Sequence, residues 1–483
     1  MMKNSMPIKL ISIGCLFMMI QACAPTATLK KPDATLPDDY PTSTFDGSGA
    51  QDKSNSASVN WKELFDDPDL LGLIKVAIEN NKEVNIMLQR MNTAQNEIQE
   101  RKGEYLPFVG LGVGADVEKV GHYTRDGAAE RSLHIVDEEE IPEYLGNYQF
   151  GLYSSWEIDV WKKLRNSAQV AALEYMASKE GKNFLVTNLV AEIAHSYYEL
   201  VALDNQLMNL EQNIELQKEG IEVVKQLKQY GRANMVAIKR YQGEVSKNKS
   251  EIYEILQEII EVENKINFLM GRVPQPIRRA SGGFLELTPK MIQTGIPSQL
   301  LQNRPDIRQA ELELNAAELN IDVARANFYP SLEIKAGIGY QAFQTQYLFS
   351  PESMAVSLAG EIMAPIFNRN AIIANHKNAN ARQIQAAYEY EQTVINAFTE
   401  VANKISNISN LEQQYQLKRD QVDKLIESIE LVNQLFVSGR AEYLEILLTQ
   451  REALEAKMEL IEIKQKQVVG TVDMYRALGG GWQ

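Results

Sequence analysis

The sequence predicts a mainly α-helical fold with a smaller β-strand portion, written out twice along one chain. Three observations predict it. Motifs in the first half recur in the second at a near-constant offset. Each half carries two segments of about ten residues in which apolar residues alternate with polar ones or glycine. Each half closes with a very long helical hairpin patterned in heptads.

Composition narrows the classes before any motif is considered. The 483 residues carry 49 Lys and Arg against 64 Asp and Glu, a net charge of −15. At roughly 100–200 residues per domain, two to four domains and a large core are possible. The acidic balance argues against a nucleic-acid partner, which a basic patch would serve. Two cysteines exclude a disulfide framework and a Cys-based zinc site. Beyond the N-terminus no stretch offers the roughly 20 apolar residues of a membrane helix.

The N-terminus reads as an address. Lys3 and Lys9 precede the apolar run Leu10 to Ile20, which is of signal-peptide length and too short for a bilayer. The run ends Ile20-Gln21-Ala22-Cys23, which resembles a bacterial lipobox, although Gln21 is less usual there. Residues 1–22 are therefore expected to be a lipoprotein signal, and Cys23 to carry N-acyl and S-diacylglycerol lipid. An ordinary signal with an incidental cysteine is the alternative. By resemblance to known lipoproteins, Ala24 rather than Asp after the Cys would favour outer-membrane sorting. Residues 23–60, rich in Pro, Thr, Asp and Ser, read as an extended lipidated tether. Cleavage removes Lys3 and Lys9 and no acid, which takes the mature charge from −15 to −17.

The repeat comes next. Asn80 corresponds to Asn303 and Pro107 to Pro330, both 223 residues apart; Glu192 corresponds to Glu400 and Gly231 to Gly439, both 208 apart. The residues lost fall between the proline and the following long helix, so the first half has the longer loop. Repeat 1 is assigned to 61–273, an equatorial linker to 274–296, repeat 2 to 297–478 and a tail to 479–483. A period this long marks a duplicated module, unlike the 20–50-residue periods of solenoids.

Each half opens with a helix, Asp66 to Glu104 in the first, ended by Pro107. The period then switches to two. Strands are expected over 107–118 and 146–159, and again over 330–345 and 353–365. In the first, Val109, Leu111, Val113, Ala115 and Val117 alternate with Gly110, Gly112, Gly114 and Asp116. The pattern suits outer-membrane barrel strands. It suits a half-buried strand of a soluble sheet equally, and the strands alone leave the two level. Four strands cannot close a membrane barrel, since the smallest have about eight, so strands meeting lipid imply a barrel shared between chains. The loop from Lys119 to Glu143, with Asp137-Glu138-Glu139-Glu140, is polar and acidic, as a surface loop would be.

The hairpins follow. Val186, Ile193, Leu200, Leu207, Ile214 and Ile221 recur every seven residues; Tyr415, Val422, Ile429 and Phe436 repeat the spacing in the second half. A helix from Trp161 to Tyr230 would be on the order of 100 Å long. The hairpins turn at Gly231 and Gly439.

Three motifs carry a resemblance to a known family: Asn303-Arg304-Pro305-Asp306-Ile307-Arg308-Gln309-Ala310-Glu311 followed by Ala324-Arg325-Ala326-Asn327-Phe328-Tyr329-Pro330-Ser331; Pro365-Ile366-Phe367; and Tyr475-Arg476-Ala477-Leu478-Gly479-Gly480-Gly481-Trp482. On these, from Trp61 to Trp482, the chain resembles the TolC family of outer-membrane factors, in its lipoprotein (NodT/OprM-like) efflux branch. The family often has Arg where Asn303 stands. The resemblance implies a duplicated TolC-like fold. Four strands per chain would enter a 12-stranded barrel shared by a homotrimer, above a coiled-coil α-helical barrel and a mixed equatorial belt. It also implies a place in the outer membrane reaching into the periplasm, a periplasmic adaptor (membrane fusion) protein and an inner-membrane RND-type pump as partners, and passive export of small solutes. A type I protein-secretion conduit and a non-conducting periplasmic coiled-coil scaffold are the alternatives.

The family's gate is an aperture near the periplasmic end lined by acidic residues just beyond the turn. On this chain Glu445 matches the first such position, Leu448 stands at the second, and Phe436 matches an aromatic of the closing network. The alternatives are an exposed helix charge for Glu445 and plain coiled-coil core for Phe436. Carboxylates converging on a three-fold axis would repel one another and hold cations. Gly231, Arg232 and Ala233, with Gly439, Arg440 and Ala441, resemble the tips that meet the adaptor; ordinary turns are the alternative. No catalytic constellation is present. His122, His134, His195 and His376 are scattered without ligand spacing, and no phosphate-binding glycine loop occurs. Neither an enzyme nor a cofactor is expected, apart from the lipid on Cys23.

Overall fold

The protein is described by a computed structural model covering residues 27–40, 55–136 and 139–482. The expected signal segment and Cys23 lie outside these residues.

Asp67 accepts from Asp69 N and Leu70 N, and with Pro68 it starts helix α1 (Pro68–Asn80). Leu70, Leu73, Ile74 and Ala77 form its buried stripe. One helix was expected from Asp66 to Glu104; the chain instead breaks at Asn81 and restarts as α2 (Lys82–Glu104). The cause is the Asn81 side chain. Its Oδ1 accepts from Glu83 N and Val84 N, which caps the new helix, and its Nδ2 donates to Leu269 O.

Beyond Pro107 come β1 (Phe108–Glu118), the short hairpin β2 (His134–Val136) and β3 (Glu139–Glu140), and β4 (Leu145–Glu157). The surface loop thus holds a small hairpin and a helical turn, Arg125–Glu130, capped by Thr124; Asp137 and Glu138 lie outside the described residues. Helices α3 (Lys163–Gln229) and α4 (Met235–Leu269) make the first hairpin. The second half follows with α5 (Pro305–Ala326), β5 (Ser331–Ala342), β6 (Met354–Met363), α6 (Asn370–Val437) and α7 (Tyr443–Ala477). Both hairpin turns place glycine where φ is positive, +71° at Gly231 and +73° at Gly439. Arg232 N and Arg440 N then return to Leu227 O and Leu435 O.

The four long strands form one antiparallel sheet in the order β1-β4-β5-β6. The chain divides into two compact units that cut across the two repeats. One unit is 1–31, 92–175 and 312–387 and holds the sheet; the other is 32–91, 176–311 and 388–483 and holds both hairpin tips. In the second unit a large core gathers Leu70, Ile74, Ile193, Tyr197, Leu200, Ile266, Phe284 and Tyr475, and a smaller one gathers Leu300, Ile307, Val394, Ala397, Val401 and Leu478. No helix among the described residues is long and apolar enough to cross a membrane.

Residues 27–40 form neither helix nor strand, yet they are docked. Lys30 N donates to Gln383 Oε1 at 3.0 Å and Gln383 Nε2 returns to Lys30 O at 2.8 Å. Further along, Asp33 N donates to Glu391 Oε1 and Tyr40 stacks on Phe398.

Candidate functional site

The strand register aligns side chains of one kind. Leu111, Leu152, Ile338 and Val356 stand in one row across the four strands, and Val113, Phe150, Tyr340 and Met354 in the next. This face is open: Val113 is 77% exposed and Leu358 78%. A contiguous apolar face of this size is not stable against water and needs an apolar neighbour. The opposite face carries Asp116, Asn147, Gln149, Gln341 and Lys335. Asn147 Nδ2 donates to Asp116 Oδ1 at 3.1 Å and Gln341 Nε2 donates to Asn147 Oδ1 at 2.8 Å. Lys335 Nζ lies 3.3 Å from Glu361 and 3.4 Å from Glu333. Gly112, Gly151 and Gly339 form a row on this polar face. A Cβ on Gly112 would sit 2.6 Å from the Tyr153 ring, and one on Gly151 would sit 2.8 Å from Gly339 Cα. The glycines let the strands and Tyr153 close up on the polar side. At the strand ends Trp156 Nε1 donates to Tyr105 O, and Trp161 stacks on Tyr329 with centroids 4.6 Å apart.

The hairpin tips lie against each other. A Cβ on Gly439 would be 3.2 Å from Arg232 Nη2, so the predicted triplets Gly231-Arg232-Ala233 and Gly439-Arg440-Ala441 are neighbours. Leu447 packs into the first hairpin with Ile214, Ile221, Ile238 and Tyr241. Leu448, one residue on, points out and is exposed. Glu445 is exposed in the first turn of α7, where a carboxylate suits the positive end of the helix, and it makes no ion pair among the described residues. Phe436 is half-buried and joins none of the core clusters, although Tyr415 and Val422 of its heptad row are buried. The row thins towards the tip.

Arg304 is a hub. It is buried, and its guanidinium reaches Asp306 through Nε and Nη2, Glu400 Oε2 through Nη1 at 2.8 Å and Ala477 O through Nη1 at 2.7 Å. Glu400 Oε1 accepts from Arg476 Nη2 at 2.7 Å. Burial alone would lower the Arg304 pKa; Asp306 and Glu400 outweigh it and raise it. Gly479, at φ +94°, passes so close to Asn303 that a Cβ would meet Asn303 O at 2.6 Å. The two sequence motifs, around Asn303 and around Tyr475, are thus the two sides of one joint.

The whole-chain pattern of this joint, the hairpins and the strands agrees with a family description. Residues 73–272 and 296–480 match the family of outer membrane efflux proteins. The chain belongs to that family. It is 25% identical over 477 residues to the probable outer membrane lipoprotein SilC of Salmonella typhimurium, covering 98% of this chain and 99% of that one. It is 26% identical over 477 residues to the cation efflux system protein CusC of Escherichia coli O6:H1, covering 99% of each. A solved membrane protein from Pseudomonas aeruginosa superposes with a TM-score of 0.83 at 23% identity, over 95% of this chain and 100% of that chain. The expected TolC-like fold and outer-membrane place are therefore established for this efflux protein, and its family is one of channels, not enzymes.

Sequence reasoning did not assign the joint. Arg304 and Arg476 stand in recognisable motifs, but their partners lie far along the chain. The one signal the sequence offered was Glu400, matched to Glu192 at the offset of 208; Arg304 and Arg476 fall opposite Asn81 and Phe268 and have no arginine counterpart. The histidines stay apart. His376 meets the Phe328 ring in a T-shaped contact, centroids 5.8 Å apart, and burial lowers its pKa. His195 Nε2 is 3.0 Å from Asp473. Among the described residues no group of three potential ligands gathers.

Proposed function

We propose that three copies of this chain form a lipid-anchored outer-membrane channel through which small solutes, handed over by an RND-type inner-membrane pump and a periplasmic adaptor, leave the cell passively. The observation that carries this reading is the sheet: four strands with one apolar face and two unpaired edges, too few to close alone. Copies joined edge to edge would turn the apolar faces outward to lipid and the glycine-rich polar faces inward to a bore. Glu445, Leu448 and Phe436 are proposed as the periplasmic gate, and the two touching tips as the adaptor contact. Cys23 is proposed as the lipidated residue. Energy would come from the pump, since no nucleotide motif is present.

The mass of the detergent-extracted particle combined with single-channel conductance tests the reading. A conducting trimer is expected. A monomeric, non-conducting product would leave a coiled-coil scaffold instead. Cys23→Ser is expected to abolish palmitate labelling; labelling that persists would remove the lipid from Cys23.

A further inference from the structure

The linker between the two halves borders a cavity that neither the strands nor the hairpin tips use. A helical turn, Trp61–Leu64, and the capping residue Asp67 lead into α1. The linker passes beside this lead-in and is tied to it: Lys290 Nζ donates to Glu63 O at 2.7 Å and to Asp66 Oδ1 at 2.8 Å. Beside that tie lies a cavity of about 130 Å³, walled by Leu64, Phe65, Tyr198, Leu287, Val468 and Val472. Leu64, Phe65, Val468 and Val472 are buried. The lead-in, α3, the linker and α7 supply the wall, and all these residues belong to one compact unit. The cavity is therefore a product of that unit's own packing.

Size and lining define what fits. A cavity of about 150 Å³ lined by Leu, Ile and Phe stays dry and accepts benzene. The present cavity is of that order, so one six-membered ring fills it. The polar groups at its wall narrow the choice. Asp67 has no oxygen to spare: Oδ1 accepts from Asp69 N and Leu70 N, and Oδ2 accepts from Tyr197 OH at 2.5 Å. Lys290 is neutralised by Asp66. A charged ligand meets no unmatched charge here and would give up its hydration without return. Two hydroxyls remain. Tyr198 and Thr288 both line the cavity, and neither hydroxyl makes a hydrogen bond among the described residues. Tyr197 steadies the Tyr198 ring in a T-shaped contact, centroids 5.7 Å apart. Burial, with the Asp67 and Asp66 carboxylates nearby, pushes the Tyr198 pKa up to about 12, so its hydroxyl keeps the proton at neutral pH. An apolar wall with one or two convergent polar groups is the usual form of a small-molecule site.

We propose that this cavity binds a neutral phenol of one ring. The ring lies against Leu64, Phe65, Leu287 and Val472, and the ligand's hydroxyl meets the Tyr198 hydroxyl. The bound ring would touch the linker, the lead-in to α1 and α7 at once. The site does not rest on the channel reading, since it uses no residue of the sheet or of the hairpin tips.

The test titrates detergent-extracted full-length protein with 4-fluorophenol and with fluorobenzene, read by fluorine NMR at matched detergent concentration. Uptake into micelles does not saturate; binding in the cavity does, and a saturable component of one ligand per chain is expected for both probes. Leu287 is 42% exposed, so Leu287→Trp fills the cavity from its open side with little disturbance of the core, and it should abolish the saturable component. Tyr198→Phe removes a single oxygen. It should weaken 4-fluorophenol roughly two- to tenfold, the worth of one hydrogen bond, and leave fluorobenzene unchanged. Thermal melts by circular dichroism check that both variants fold. The absence of any saturable component, as when a side chain of a second copy fills the cavity, overturns the proposal. So does a Leu287→Trp protein that binds like the wild type, or a Tyr198→Phe protein that loses both probes alike or neither.

Discussion

Asn81 and Arg304 hold the same joint in the two halves of the chain. Asn81 Nδ2 donates to Leu269 O at 2.8 Å, and Arg304 Nη1 donates to Ala477 O at 2.7 Å. The donors are 223 residues apart and the acceptors 208, the two repeat offsets. Gly271 and Gly479 complete the correspondence: a Cβ on either would meet the backbone oxygen of Asn80 or Asn303, at 2.5 and 2.6 Å. One half makes the bond with a neutral amide, the other with a charged hub.

That difference predicts unequal costs. Arg304→Met leaves Asp306 and Glu400 without their shared cation and should destabilise by about 3 kcal/mol or more. Asn81→Ala loses a cap and one hydrogen bond, about 1–2 kcal/mol. Thermal melts of the two variants should rank Arg304→Met well below Asn81→Ala; equal midpoints would mean that the ion network adds nothing.

Gly479→Ala should also be costly. The positive φ and the nearby Asn303 carbonyl both oppose a Cβ, for a loss of about 1–3 kcal/mol. Gly243, exposed within α4, has nothing within 4 Å of a built Cβ. Gly243→Ala should therefore be neutral or stabilise by up to about 1 kcal/mol. Opposite shifts in the melting midpoint check the pair.

Asp473 predicts an acid dependence. Burial pushes its pKa up, but His195 Nε2 at 3.0 Å and Lys404 Nζ at 2.6 Å outweigh it and hold the carboxyl at about 2, below its ordinary 3.8. A depressed pKa contributes stability that is fully present above the unfolded value and lost as pH falls through the folded one. The stability gap between wild type and Asp473→Asn should thus be complete above about pH 4 and vanish near pH 2. A gap that is constant across that range in chemical unfolding would place the effect outside the ionisation of Asp473.

At the tip, Glu445→Ala should weaken block of the channel by divalent cations while leaving the open conductance nearly unchanged. Single-channel recording with and without added magnesium reads this. Unchanged block would put Glu445 among the solvated charges of α7.

Much of the fold was legible because it is periodic. The alternation in 107–118 and 353–365 located strands that run Phe108–Glu118 and Met354–Met363. The first long helix, expected from Trp161 to Tyr230, runs Lys163–Gln229, and both hairpins turn at the glycines expected, Gly231 and Gly439. What was not legible depends on contacts distant in sequence or on a local side-chain bond. The break at Asn81 is made by its own amide, which a helical apolar pattern does not register. Arg304 finds Glu400 and Ala477 only after α5, α6 and α7 have packed. At the second tip the heptad row predicted Phe436 as core, yet the packed residue is Leu447. There the hairpin's inner face is set by the first hairpin lying beside it.

The pinned segment before α1 has a reach that can be calculated. Lys30 is tied at both its backbone groups to Gln383, and Cys23 stands seven residues earlier. Even fully extended, that leash spans roughly 25 Å. The fatty chain proposed on Cys23 would enter the bilayer only within that radius of Gln383, and would so act as a depth gauge as well as an anchor. Lengthening the leash by inserted residues would let the particle ride at a different height without loosening its hold.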